Sequence, residues 1–144
     1  GDYIMIERTQ DYRRVKALTL ANPAEGVPEW ELIVSRDFFY LIEVQGGVDV
    51  GVWAFEPEEH GVYSMHTAMS PDCRGKAAVV SGLSAIKWLY DNTKADKIIA
   101  PVPKRLKHAQ RIPISAGLVY DGMQEDRKIY KMDRILFNKL GEVT

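Results

Sequence analysis

Residues 62–92 limit the fold more than any other part of the chain. Val62–Met69 alternates, with Val62, Ser64, His66 and Ala68 on one side and Tyr63, Met65, Thr67 and Met69 on the other. That is the two-residue period of a strand buried on at least one face. Pro71 ends it, because proline brings no N–H to a ladder. A short loop with Arg74 and Lys76 follows. From Ala78 to Asn92 the apolar residues Val79, Leu83, Ile86 and Tyr90 recur at helical spacing, with Val80 and Leu89 beside them. A strand, a basic loop and an amphipathic helix in this order predict a helix start aimed at an anion, since the first N–H groups of a helix have no partner within it.

The rest of the chain supplies a sheet for this unit. Tyr3–Glu7 reads as a first strand, with Ile4 and Ile6 on one face. Asp11 is placed to cap a helix from Tyr12 to about Leu20, turning Val15, Leu18 and Thr19 inward. Asn22-Pro23-Ala24-Glu25-Gly26 breaks that helix, and Pro28 suits the first position of a second one running to about Ser35. Phe38–Val44 and Val48–Phe55 are strands joined at Gly46-Gly47. Pro57–Gly61 turns the chain into Val62–Met69. After the long helix, Lys97–Pro101 is a short strand, expected parallel to Val62–Met69 because a helical crossover joins them. Lys104–Arg111 reads as a basic helix limited by Pro113. Gly117–Met123 and Lys128–Ile135 form a final hairpin, whose turn falls at Asp121-Gly122 or Glu125-Asp126. The sum is β-α-α-β-β-β-α-β-α-β-β.

Length and charge narrow the possible functions. The 144 residues suit one domain, 1–144, with a substantial core. A net charge of −1 supplies no overall field for nucleic acid or anionic membranes. One cysteine, Cys73, allows no disulfide within the chain and fits a reducing compartment. No apolar run approaches a bilayer span, and no basic-then-apolar leader opens the sequence, so a cytoplasmic setting is expected. His60, His66 and His108 lack metal-ligand spacings, so no metal is expected.

The order of elements, together with Arg74-Gly75-Lys76 at a helix start, resembles the GCN5-related N-acetyltransferase superfamily over roughly Ile4–Leu136. The resemblance implies an α+β fold. Its mixed, mostly antiparallel twisted sheet has about seven strands, with about four helices around it and a splay between the fourth and fifth strands. It implies acetyl-CoA as acyl donor. The pyrophosphate would lie on Arg74, Gly75, Lys76, Ala77, Ala78 and Val79, and the pantetheine arm along Thr67, Ala68 and Met69. The family's loop has the form Arg/Gln-x-x-Gly-x-Gly/Ala, and here its small positions fall on Ala77 and Val79. The family's late Asn-x-x-Ala-x-x-x-Tyr-x-x-x-Gly-Phe pattern, set on Gly117-Leu118, puts Ala109 on the alanine, Leu106 on the asparagine and Pro113 on the tyrosine.

Acetyl transfer to an amine needs a neutral nitrogen, donors for the developing oxyanion and a proton for the departing thiolate. His66, on the strand beside the expected thioester, is the candidate base. Tyr120 is the candidate acid in place of the missing tyrosine, with Tyr130 a second. A helix start would lower the pKa of Cys73 if the thiol were exposed. Glu25, Glu29, Glu31, Glu56, Glu58 and Glu59 could attract an amine. The acceptor is then an amine of a small molecule or a protein, and exposed strands of the final hairpin would allow a homodimer. Val79 and Pro113 keep open a non-catalytic role on the same scaffold. The chain is also similar to phage-encoded relatives of this fold that are particle-associated. A CoA-binding regulator without turnover is a third reading.

Overall fold

The computed structural model describes residues 4–22, 34–73 and 75–142. The expected second helix lies almost entirely outside the described residues. So do Arg74, Glu25, Glu29 and Glu31. The described elements are β1 (Ile4–Thr9), α1 (Tyr12–Ala21), β2 (Phe39–Gln45), β3 (Val48–Pro57), β4 (Val62–Met69), a 3-10 turn (Pro71–Cys73), α2 (Lys76–Asn92), β5 (Lys97–Pro103), α3 (Arg111–Ser115), β6 (Val119–Gln124), β7 (Arg127–Asp133) and α4 (Arg134–Glu142). The strands form one seven-stranded sheet in the order β1-β2-β3-β4-β5-β7-β6. Every neighbouring pair is antiparallel except β4 and β5. The mixed sheet with its single parallel junction is the one expected.

Local chemistry explains most boundaries. Asp11 accepts a hydrogen bond from the Arg14 N–H at 3.2 Å and caps α1. Gly46 and Gly47 take φ of +55° and +80°, as the two-residue turn between Gln45 and Val48 demands. The final hairpin turns at the later alternative, Glu125-Asp126, and Asp121-Gly122 lies where the β6–β7 register slips.

Two expectations are corrected. Lys104–Arg111 is a run of turns, not a helix, and α3 begins only at Arg111. Pro113 is its third residue, where the N–H that proline lacks would have no helical partner anyway. The last strand stops at Asp133 rather than Ile135, and α4 follows. Its signal was present in the sequence: Asp133 accepts from the Leu136 N–H at 2.7 Å, and Leu136 and Phe137 turn into the core.

The sheet buries both faces. Leu41, Phe55, Ile98 and Met132 meet Ile86 and Leu89 of α2 on one side. Tyr40, Ile42, Val52 and Ala68 meet Val15 and Leu18 of α1 on the other. Gly82 sits mid-helix in α2, where glycine costs about 1 kcal/mol against alanine. A β-carbon there would stand 3.0 Å from Cη2 of Trp53. The indole cannot easily yield, because its Nε1 donates to the buried Ser81 hydroxyl at 2.7 Å. Gly82→Ala is therefore expected to lower stability by about 1 kcal/mol in a urea titration, as overpacking outweighs the helix preference. A gain in stability would show that Trp53 moves freely.

Candidate active site

The β4–β5 ladder is short. It joins only Val62, Ser64 and Tyr63 to Lys97, Ile99 and Ile98. Beyond it, Met65–Met69 and Ala100–Pro103 pair with their outer neighbours β3 and β7 but not with each other. A cleft of about 700 Å³ occupies the gap. Its walls come from both sheet faces: Val79, Gly82 and Ile112 on the α2 side, and Tyr40, Glu56 and His66 on the α1 side. The cleft therefore passes through the sheet, between two strands that have parted.

The parted strand offers backbone to whatever enters. The Ser70 N–H donates to Val50, and the Glu58 N–H donates to Val62. Both contacts mark the even-numbered residues of β4 as those whose amides serve β3. The odd-numbered ones turn the other way, as the Gly61 carbonyl does in accepting from Asp96 and Lys97. Thr67 thus points its N–H and C=O into the gap, while its hydroxyl donates to Val52 at 2.9 Å. The Ala68 amide serves β3, and its methyl is buried in the α1-side core.

At the α2 end, Gly75 precedes the helix with φ +80° and ψ −134°, a conformation only glycine adopts without strain. Gly75, as the N-cap residue, brings no side chain to cap this helix start. The first helical hydrogen bond is Val79 N–H to Gly75 C=O, which leaves the amides of Lys76, Ala77 and Ala78 ahead of it. Lys76 is exposed, Ala77 half-buried and Ala78 buried. Val79 packs its side chain against the core and lines the cleft, so its branched carbon is turned inward from the helix start.

His66 and Glu56 meet on the α1 side, with Nε2 3.2 Å from Oε1. Strand register explains the meeting. His66 lies opposite Ala54, and Glu56 opposite Ser64, so the two are diagonal neighbours on one face. Arg127 brings a cation to the cleft wall from β7. Phe38 and Tyr40 stack at 5.9 Å and form an aromatic wall, and the Tyr40 hydroxyl accepts from the Ser35 N–H at 2.9 Å. Burial raises the pKa of that phenol.

The structure does not bring Tyr120 to this place. Tyr63 pairs with Ile98, Ala100 with Tyr130, and Tyr130 with Tyr120, so these residues share the α2 side of the sheet. His66 is three positions from Tyr63 and faces the other side. Tyr120 is an exposed residue of the edge strand, edge-on to Tyr130 at 5.9 Å. Tyr130 is buried in the core. His60 and His108 are exposed outside the cleft. Cys73 is buried, not exposed, and takes a hydrogen bond from Gln45 Nε2 at 3.3 Å. Desolvation first, and then the Glu43 carboxylate, push its thiol pKa up, the reverse of the expected lowering.

The sequence was compared with known proteins. The family model for Protein of unknown function (DUF2824) matches residues 26–136. The chain belongs to the DUF2824 family. No curated protein matches it in sequence. Solved structures do match this DUF2824 protein in fold. One is the spermidine N-acetyltransferase from Vibrio cholerae in complex with CoA and spermine, at TM-score 0.71 and 12% identity over 94% of this chain and 98% of that one. Another is AAC(6')-Ib in complex with ribostamycin and coenzyme A, at 0.74 and 12% over 96% and 97%. A third is a GNAT-family acetyltransferase from Streptococcus pneumoniae, at 0.68 and 11% over 90% and 97%. The fold of this DUF2824 member is that of the GCN5-related N-acetyltransferases. Among its described residues no helix is long and apolar enough to cross a membrane.

Proposed function

We propose that this protein is an acetyl-CoA-dependent N-acetyltransferase that passes the acetyl group to an amine of a small molecule or protein by direct attack on the thioester. The observation that carries this reading is the cleft through the sheet, with the Thr67 amide and carbonyl on its edge. An amide-bearing arm lying in the gap replaces the ladder that β5 does not provide, by the same backbone chemistry that lets an extended peptide join a sheet. At one end of the arm, the backbone of Gly75–Val79 with Arg74 and Lys76 holds the diphosphate. At the other end the thioester emerges beside His66, which takes a proton from the incoming amine. The chemistry that acetyl-CoA supplies is an activated acyl group on a good leaving thiolate. Solved neighbours of this fold carry CoA with an amine-bearing molecule, spermine in one and ribostamycin in another, which supports both halves of the reading.

With Pro113 where the resemblance expects a tyrosine, and Tyr120 on the far face, the thiolate takes its proton from water. The same observation favours a second reading, in which the protein binds CoA without turnover or serves as a scaffold. Thermal melts with and without acetyl-CoA separate these. At a ligand concentration 100 times Kd, binding stabilises the fold by about 2.7 kcal/mol. The melting temperature is expected to rise accordingly, and thiol release should then appear on adding amines. No shift would remove the cofactor site and leave the scaffold reading.

A further inference from the structure

Glu56 lies within reach of one nitrogen of the His66 ring. Among the described residues, the 3.2 Å contact to Nε2 is the only protein hydrogen bond of the imidazole. The carboxylate in turn makes no other hydrogen bond or ion pair there. Both side chains line the cleft and are about two-fifths exposed. A pair so exposed adds little to stability. Its position is therefore the informative property. Glu58, two residues on, is engaged by the Ser64 hydroxyl, and Arg127 forms no ion pair among the described residues.

An ionised carboxylate has no proton to give, so the contact requires the hydrogen to sit on Nε2. The lone pair of neutral His66 is then on Nδ1. Neutral imidazole free in water favours neither tautomer strongly enough to fix this, and the bond to the other nitrogen decides it. We propose that Glu56 is the positioning residue of the acetyl transfer: it holds the Nε2–H tautomer and the ring angle of His66, so that Nδ1 is the atom that takes the proton of the acceptor amine. This rests on the acetyltransferase reading above. The step balances. The acceptor ammonium gives one proton to Nδ1, and the Nε2–H stays on the ring facing Glu56. The freed nitrogen forms a C–N bond to the acetyl carbonyl carbon as the C–S bond breaks. The second proton leaves the nitrogen and ends on the departing sulfur through water, and His66 returns its proton to solvent. Glu56 acts through His66, and the charge it carries also steadies the imidazolium that forms.

The test uses the full chain and two readouts. Nitrogen-15 shifts of the His66 ring in the free protein report the tautomer without any turnover. Steady-state kinetics with acetyl-CoA and an amine that the wild type acetylates report the consequence. Glu56→Gln is expected to replace a dominant Nε2–H form by a mixture, and to lower kcat about 10-fold while KM for acetyl-CoA stays within about 2-fold. Glu56→Asp, which keeps the charge on a shorter arm, is expected to restore most of the Nε2–H signal and part of kcat. Far-UV circular dichroism of both variants should match the wild type. An unchanged tautomer in Glu56→Gln overturns the proposal, as does a changed tautomer with unchanged kcat. A wild type that acetylates no amine removes the underlying reading and this role with it, an outcome seen before any variant is made.

Discussion

Arg134→Met is expected to destabilise the protein by about 3 kcal/mol, the largest loss from any single polar side chain described here. The guanidinium reaches back from the start of α4 to the end of α2. Nη1 donates to the Tyr90 carbonyl at 2.8 Å, Nη2 to Thr93 at 3.0 Å and Nε to Ala95 at 2.9 Å. The same group lies 4.8 Å from the centre of the Tyr90 ring. The last carbonyls of a helix have no partner within it, and they carry the negative end of the helix dipole. One planar cation thus satisfies three acceptors where α2 gives way to the loop before β5. Hydrogen bonds to a charged donor are worth about 1.5–3 kcal/mol each, but bonds made by one group do not add fully. Methionine keeps much of the packing and removes all three donors, so the partly buried carbonyls lose their partners. For a chain of this size the melting temperature should fall by roughly 10 °C. Arg134→Lys keeps the charge but not the fork, and should recover less than half of the loss. Urea titrations of the three proteins would measure this. A loss under about 1 kcal/mol for Arg134→Met would mean that water replaces the guanidinium without cost.

The second large effect concerns the gap. Thr67→Pro is expected to weaken acetyl-CoA binding by about 10- to 100-fold while the protein still folds. The Thr67 amide faces the opening rather than β3, so proline there breaks no bond of the β3–β4 ladder. It does delete the donor proposed for the pantetheine arm and puts a ring in its path. Leaving a buried ligand acceptor unpaired costs about 1–3 kcal/mol, or roughly 5- to 150-fold in affinity, which brackets the expected loss. The variant also loses the hydroxyl bond to Val52, and proline's fixed φ adds some strain, so a melting temperature lower by a few degrees is expected. Thr67→Ala separates the two contributions. It loses the same hydroxyl bond but keeps the amide, and should bind acetyl-CoA as the wild type does. Calorimetric titration of the three proteins is the measurement. Equal affinity for Thr67→Pro and wild type would mean that the arm does not run along β4.

Local chemistry made several elements legible. Asp11 capped its helix, Gly46-Gly47 made its turn, and the alternation of Val62–Met69 sorted residues to the faces they take. Each of these depends on neighbours within a few positions. The same reach made Lys104–Arg111 look helical. A run of lysines and arginines suits a helix, but Gln110 of that run is held by the Lys104 carbonyl at 2.8 Å, and the segment folds into turns instead. The missed α4 was legible after all, through Asp133 followed by apolar residues at helical spacing. The Glu56–His66 meeting was half-legible: a tight turn at 57–61 fixes the hairpin register and makes the two diagonal neighbours, but only once the turn's pairing is known.

The amino-acid sequence alone determined the order of the strands, the place of the long helix α2 and the glycine that opens it, because periodicity and turn chemistry act over a turn or a hairpin. What lines the space between β4 and β5 was decided by the tertiary structure. The β4–β5 ladder ends at Ser64 and Ile99, and the next residues on that edge of β5, Pro101 and Pro103, bring no N–H to continue it. Residues as distant as Tyr40, Val79 and Ile112 meet at that space only after the sheet has packed against its helices. Arg134 finds the end of α2 across 41 residues of chain for the same reason: its partners are neighbours only after the sheet has brought β7 beside β5.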